Sequence, residues 1–216
     1  MPRASPADQL WTPPEPTFDL VVVAASFGGV HALRTLVSAL PVDFPVPVAL
    51  VLHLGARRST LVSILQWRTG LSVRWAEHGL RPRPRTVYVA PPDQHLELGG
   101  RRTFLLSDGP KRYATRPAAD PLFQSAARVY GRRCLGVVMT GMGRDGLEGA
   151  RALREAGGTV LAQDQASSTA FGMPGSVIGG GHADFVLPLA TLAPALISLV
   201  MVPGGADLFG IPRQVA

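Results

Sequence analysis

Three polar residues stand where apolar runs end. Ser26 follows LVVVAA (20–25), His53 lies near the end of VPVALVLHL (46–54), and Asp145 comes four residues after Gly141 in TGMGRDG, beyond CLGVVMTG (134–141). Their types are those of a nucleophile, a general base and an orienting carboxylate. A serine hydroxyl attacks a carbonyl at neutral pH only when an imidazole takes its proton, and a carboxylate holds that imidazole in one tautomer. Each residue also has a plainer use: Ser26 as a helix cap, His53 as a core histidine, Asp145 as a turn residue between Gly143 and Gly146. Spacing along the chain leaves open whether the three meet.

Gly28 and Gly29 follow Ser26 at the mouth of the next helix. Without Cβ atoms they let a ligand approach the amides there, and Phe27, Gly28, Gly29 and Met142 are the candidates for lining an oxyanion site. Such a helix start could equally hold a phosphate. Yet ASFGGVHA has neither the Lys-Ser/Thr of a P-loop nor the three-glycine spacing of a dinucleotide fold. Nor is it G-x-S-x-G, since Ala24 stands two before the serine, and the order Ser, His, Asp differs from the familiar hydrolase orders.

The elements that must position these residues are short, continuous apolar runs, the pattern of strands covered on both faces. They are 20–25, 46–54, 86–91, 134–141 and 158–164, alternating with helical spacing at 29–40, 59–69, 120–130 and 146–156. Ser59 is the expected N-cap of the second helix and Gly157-Gly158 the expected stop of the last. The alternation predicts an α/β fold: a doubly wound, mainly parallel sheet with helices on both faces. HLELGGRRTFLL adds an antiparallel hairpin, with Gly99-Gly100 expected to supply the positive φ angles of a two-residue turn.

The 216 residues, 46% hydrophobic and 17% charged, suit one globular domain without disulfides. The expected division is a Pro-rich leader (1–18), the folded domain (19–202) and a tail (203–216). Cys134, alone and inside a strand, reads as a buried structural thiol, consistent with a reducing cytoplasm. The charge of +6 is carried almost wholly by arginine, in RPRPR (81–85) and across 101–116. No nucleic-acid-binding motif accompanies it, so a solvated basic surface is expected, compatible with an acidic protein partner. TLAPALISLVMVPGG is interrupted by Pro194 and Pro203 and is too short to span a membrane, and the N-terminus is not a secretory signal.

Five blocks in order resemble the catalytic domain of the chemotaxis-type protein-glutamate methylesterases. They are AASFGG (24–29), LHL (52–54), VYVAPPDQHLEL (87–98), TGMGRDG (140–146) and AQDQASSTAFGMPGSVIGGG (162–181). The resemblance implies hydrolysis of glutamate γ-methyl esters, and deamidation of glutamine, on a methylated chemoreceptor or related membrane-bound sensory protein. It implies a cytoplasmic enzyme that uses no cofactor or metal and does not insert into the membrane. Ser26 would be the nucleophile, His53 the base and Asp145 its partner, with His95 and Met173 structural or pocket-lining. Phe27 replaces a threonine, Ala24 a glycine and Arg144 a neutral polar residue of the family pattern; these bear on substrate choice more than on reaction type. Two other readings stay open: a binding or signalling module whose site Phe27 and Arg144 obstruct, and an esterase for small free esters. Many relatives carry a phosphorylatable receiver domain ahead of the catalytic one. The 18-residue leader cannot form one, so constitutive activity or control by a separate partner is expected if these 216 residues are the whole natural chain.

Overall fold

The structure is a computed structural model that describes residues 17–54, 59–202 and 205. Nearly all of the leader and the tail expected from the sequence lie outside those residues.

Among the described residues nine strands and six α-helices follow in the order β1 (Leu20–Ala25), α1 (Gly29–Ser38), β2 (Val48–Leu52), α2 (Leu61–Gln66), β3 (Ser72–Trp75), β4 (Thr86–Val89), β5 (His95–Leu98), β6 (Phe104–Ser107), α3 (Ala119–Tyr130), β7 (Cys134–Val138), α4 (Leu147–Glu155), β8 (Thr159–Gln163), α5 (Gly172–Gly179), β9 (Phe185–Leu187) and α6 (Leu189–Met201). Seven strands form one sheet in the order β3-β4-β2-β1-β7-β8-β9. Every pairing in it is parallel. Strand β1 is central, paired with β2 on one side and β7 on the other, and all six of its residues are buried. Its alternate side chains serve two cores, as a two-residue period requires. Val21, Val23 and Ala25 pack with Leu33 and Leu36 of α1 and Leu192 and Leu196 of α6; Leu20, Val22 and Ala24 pack with Leu122 and Phe123 of α3 and Leu153 of α4. Helices therefore cover both faces, as expected.

From β1 the chain winds outward through β2, whereas from β7 it winds the other way through β8. The strand order thus reverses between β1 and β7, and a doubly wound sheet opens its functional crevice at the carboxyl ends of such a pair. Ser26 follows β1 and the Asp145 loop follows β7.

Some local expectations change. The expected antiparallel hairpin is present as β5–β6, a two-stranded sheet of its own beside the parallel one. Its turn is not a two-residue Gly99-Gly100 turn. Arg102 N–H donates to Gly99 O at 2.8 Å, Gly99 N–H to Thr103 O at 2.8 Å, and the left-handed residue is Arg102, φ 58°. This is a three-residue loop whose last member takes the left-handed position. Arg102 is held there by tertiary contacts, its Nη1 3.1 Å from Asp19 Oδ2 and its guanidinium carbon 4.8 Å from the Tyr130 ring centre. Ser59 stands one residue ahead of the cap position, which Thr60 holds without a side-chain bond, yet its Oγ accepts from Leu61 N–H, the first amide of α2, at 3.2 Å. The helix is also shorter than 59–69. Gly157 does end α4, in the left-handed conformation with φ 79°. Cys134 is fully buried, and burial pushes its thiol far above the ordinary range, as suits a structural residue.

Asp19 ties the foot of β1 to the hairpin and to the turn before β7, accepting from Arg133 Nη2 at 2.7 Å and from Arg102. The Arg133 hydrogen bond is the main cause holding its carboxyl below the usual range, partly opposed by burial. A depressed folded-state pKa contributes stability above the unfolded value and loses it as acid protonates the group. Asp19→Asn is therefore expected to melt below wild type at pH 7, the gap closing below about pH 4. Paired thermal melts across that range check it; a gap that persists in acid excludes the ion pairs as its source.

Candidate active site

The three strand-end residues converge. Ser26 Oγ lies 3.0 Å from His53 Nδ1, and His53 Nε2 lies 2.6 Å from Asp145 Oδ2. Because an ionised carboxylate only accepts, Nε2 carries the proton and Nδ1 offers its lone pair to the serine hydroxyl. The serine-protease arrangement uses the same two nitrogens in swapped positions, with equal basic chemistry.

Each member is fixed by its element. The Ser26 amide donates to Thr140 O at 2.9 Å, and the His53 amide donates to Ala25 O at 3.2 Å, so both side chains start from the sheet ladder. Asp145 is 1% exposed and accepts, besides the imidazole, the amides of Ala119 at 2.6 Å and Asp120 at 3.0 Å. Those amides open α3, where unpaired donors and the positive end of the helix favour a negative charge. The arrangement is reciprocal: Asp120 accepts from Gly146 and Gly149 at the start of α4, at 3.0 and 2.8 Å. Burial raises the Asp120 pKa; the Gly149 and Gly146 amides oppose that rise, and the Asp145 charge adds to it.

The turn after Ser26 depends on Gly28, whose φ is 78° and where an added Cβ would lie 2.4 Å from Thr169 Oγ1. No L side chain fits that conformation and that space together. At the far rim, a Cβ on Gly172 would lie 2.7 Å from Gly143 N, so the Met142–Gly143 segment rests directly on backbone. The amides of Phe27, Gly28 and Met142 have no acceptor among the described residues. Gly29 leaves the set of oxyanion donors, since its amide already donates to Ser26 O at 2.8 Å. Phe27 and Met142 are 54% and 62% exposed, so the serine opens on a broad apolar rim.

Thr140 was not singled out from the sequence. It is 1% exposed, and its hydroxyl donates to Phe27 O at 2.9 Å while accepting from Ala170 N–H at 2.9 Å. With its carbonyl on the Ser26 amide, this one residue holds both sides of the nucleophile turn. A polar residue directly after an apolar run, here 134–139, is the same signal that marks Ser26 and could have revealed it. His95, expected to be structural, is buried; its Nδ1 accepts from Ala118 N–H at 3.3 Å and its Nε2 donates to Pro110 O at 3.1 Å. Met173 is buried with its sulfur against Gly141.

A doubly wound α/β sheet with a Ser–His–Asp relay at its switch point defines a protein equipped for acyl transfer. The comparisons with known proteins narrow this to one family. Residues 21–196 match the model of the CheB methylesterase domain, and the chain belongs to that family. It is 43% identical over 206 residues, 91% of this chain, to protein-glutamate methylesterase/protein-glutamine glutaminase 2 of Caulobacter vibrioides. It is 40% identical over 190 residues, 88% of this chain, to protein-glutamate methylesterase FrzG of Myxococcus xanthus. The matches span 59% and 57% of those two relatives. The CheB methylesterase catalytic domain of Thermotoga maritima superposes with a TM-score of 0.82 at 38% identity, over 85% of this chain and 99% of that one.

Proposed function

We propose that residues 19–202 form a catalytic domain that hydrolyses glutamate γ-methyl esters, and deamidates glutamine, on a chemoreceptor or related sensory protein. The observation that carries this reading is the unbroken chain Ser26 Oγ, His53, Asp145, beside amides without acceptors among the described residues. Ser26 Oγ attacks the ester carbonyl as its proton passes to His53 Nδ1. The carbonyl oxygen gains negative charge and is met by free amides of the Phe27–Gly28 turn and Met142. Collapse expels methoxide, which takes the proton from His53 and leaves as methanol. Water then attacks the acyl-enzyme with His53 again as base, releasing glutamate and restoring Ser26. A glutamine substrate follows the same course, with ammonia departing.

The open apolar rim favours a side chain presented on a protein surface over a small free ester. The half-exposed Phe27 ring leaves the Ser26–His53 contact intact, which favours turnover over an obstructed binding module. No helix among the described residues is long and apolar enough to cross a membrane.

Methanol release from methyl-labelled receptor membranes tests the reading: release is expected with this chain, and membranes that retain their label would refute it. Thr140 tests the positioning of the turn. Thr140→Val keeps the shape but strands Phe27 O and Ala170 N–H. The expected result is a kcat lower by about 10- to 100-fold at near-normal KM, with Thr140→Ser recovering most of it. A Val variant with wild-type kcat would remove this role.

A further inference from the structure

Arg144 lies in the loop between Met142 and Asp145 and is exposed. No carboxylate pairs with it among the described residues. Its guanidinium carbon lies 5.9 Å from the centre of the Tyr113 ring. Tyr113 is presented by an unusual turn. Arg112 N–H donates to Thr115 O at 3.1 Å and Thr115 N–H to Arg112 O at 2.8 Å, leaving Tyr113 and Ala114 as the two central residues, at φ 49° and 63°. Two-residue turns of that hand are normally built from Asn and Gly, and side chains there carry backbone strain. Here the strain sets an aromatic ring beside the loop that carries Asp145.

The Tyr113 ring and hydroxyl steady the guanidinium and take one of its five N–H donors, and the others stay available to a planar, bidentate acceptor. A carboxylate is that acceptor. The ester to be cleaved is uncharged, so a cation there does not serve the scissile group before reaction. Its partner has to come from elsewhere on the substrate. On a helical segment, residues three or four apart share a face, about 5–6 Å from one another. Arg144 is exposed on the loop that follows Gly141, where an added Cβ would lie 2.9 Å from Ser26 Cβ.

We propose that Arg144, steadied by Tyr113, is a specificity-determining residue that binds a free carboxylate one helical turn from the esterified glutamate. This rests on the function proposed above. Segments with an unmodified glutamate beside the methylated one are preferred over segments with a neutral neighbour there.

The test compares two helical peptides that each carry one glutamate methyl ester, with Glu or Gln four residues away. Binding is measured with Ser26→Ala protein, so that the ester survives. The Glu peptide is expected to bind about three- to five-fold tighter at low salt, the range of an exposed ion pair, with the preference shrinking as salt screens it. The double variant Ser26→Ala/Arg144→Gln is expected to bind the two peptides alike, and Tyr113→Leu in the Ser26→Ala background to show a reduced preference. Equal binding by the Ser26→Ala protein, a preference that survives Arg144→Gln, or no binding of either peptide would overturn the proposal. Failure of the proposed function looks different: wild-type protein binds the Glu peptide with the expected preference yet releases no methanol from it.

Discussion

Ser26→Ala is expected to lower methanol release by about 10⁴- to 10⁶-fold, with folding and melting temperature close to wild type. The hydroxyl is the group that forms the acyl bond, so the remaining residues cannot complete the same path. The fold should tolerate the change because the Ser26 backbone is tied into the structure, through its amide to Thr140 O and its carbonyl to the Gly29 amide, while its hydroxyl bonds the partly exposed His53. Adding His53→Ala to Ser26→Ala is expected to cost little more, since the imidazole acts through the serine. Single and double variants compared on one labelled membrane preparation check this. A Ser26→Ala rate within about tenfold of wild type excludes the acyl-enzyme route.

Asp145→Asn is expected to cost about 10⁴-fold in kcat while retaining the fold. The wild-type carboxylate accepts three N–H groups, one from His53 and two from the start of α3. An amide has one accepting oxygen and one donating nitrogen. Oδ2 takes both His53 Nε2 and the Ala119 amide, and Oδ1 takes the Asp120 amide. With its oxygen on Asp120, the NH₂ of Asn faces the Ala119 N–H and His53 Nε2 and favours the tautomer with the proton on Nδ1, the wrong nitrogen for taking a proton from Ser26. Turned the other way, its NH₂ confronts the Asp120 N–H. The loss should fall on kcat rather than KM, because Asp145 is buried beneath the imidazole and does not reach the surface. Steady-state kinetics on an ester peptide check it, and a variant with unchanged kcat would show that the imidazole needs no orienting carboxylate.

The central strands were legible because each is buried on both faces and so reads as an unbroken apolar run. The edges were not. In β3 exposed Ser72 and Arg74 alternate with Val73, and β9 is three residues long, so neither rises above loop composition. Helix α6 was hidden by Pro194 inside it, and α5, GMPGSVIG, by its glycines and proline. The hairpin turn was misplaced because local preference assigns positive φ to glycine, whereas Asp19 and Tyr130 hold Arg102 there. Ser26, His53 and Asp145 could be picked out as polar residues at strand ends. Their meeting could not, since it follows from β7 lying beside β1 although more than a hundred residues separate them. Likewise Gly29 looked like a free donor until its bond to Ser26 O was in view. Asp120 and Tyr113 act by bridging segments distant in the chain, so neighbouring residues say nothing of them.

The central claim is that His53, oriented by Asp145, makes the Ser26 hydroxyl nucleophilic. Peptide mapping by mass spectrometry after exposure to a small fluorophosphonate measures that reactivity at the residue concerned. The expected result is one covalent adduct, on Ser26, formed rapidly in wild type and far more slowly in Asp145→Asn. An unmodified Ser26, or an adduct that forms equally fast without the Asp145 carboxylate, would contradict it.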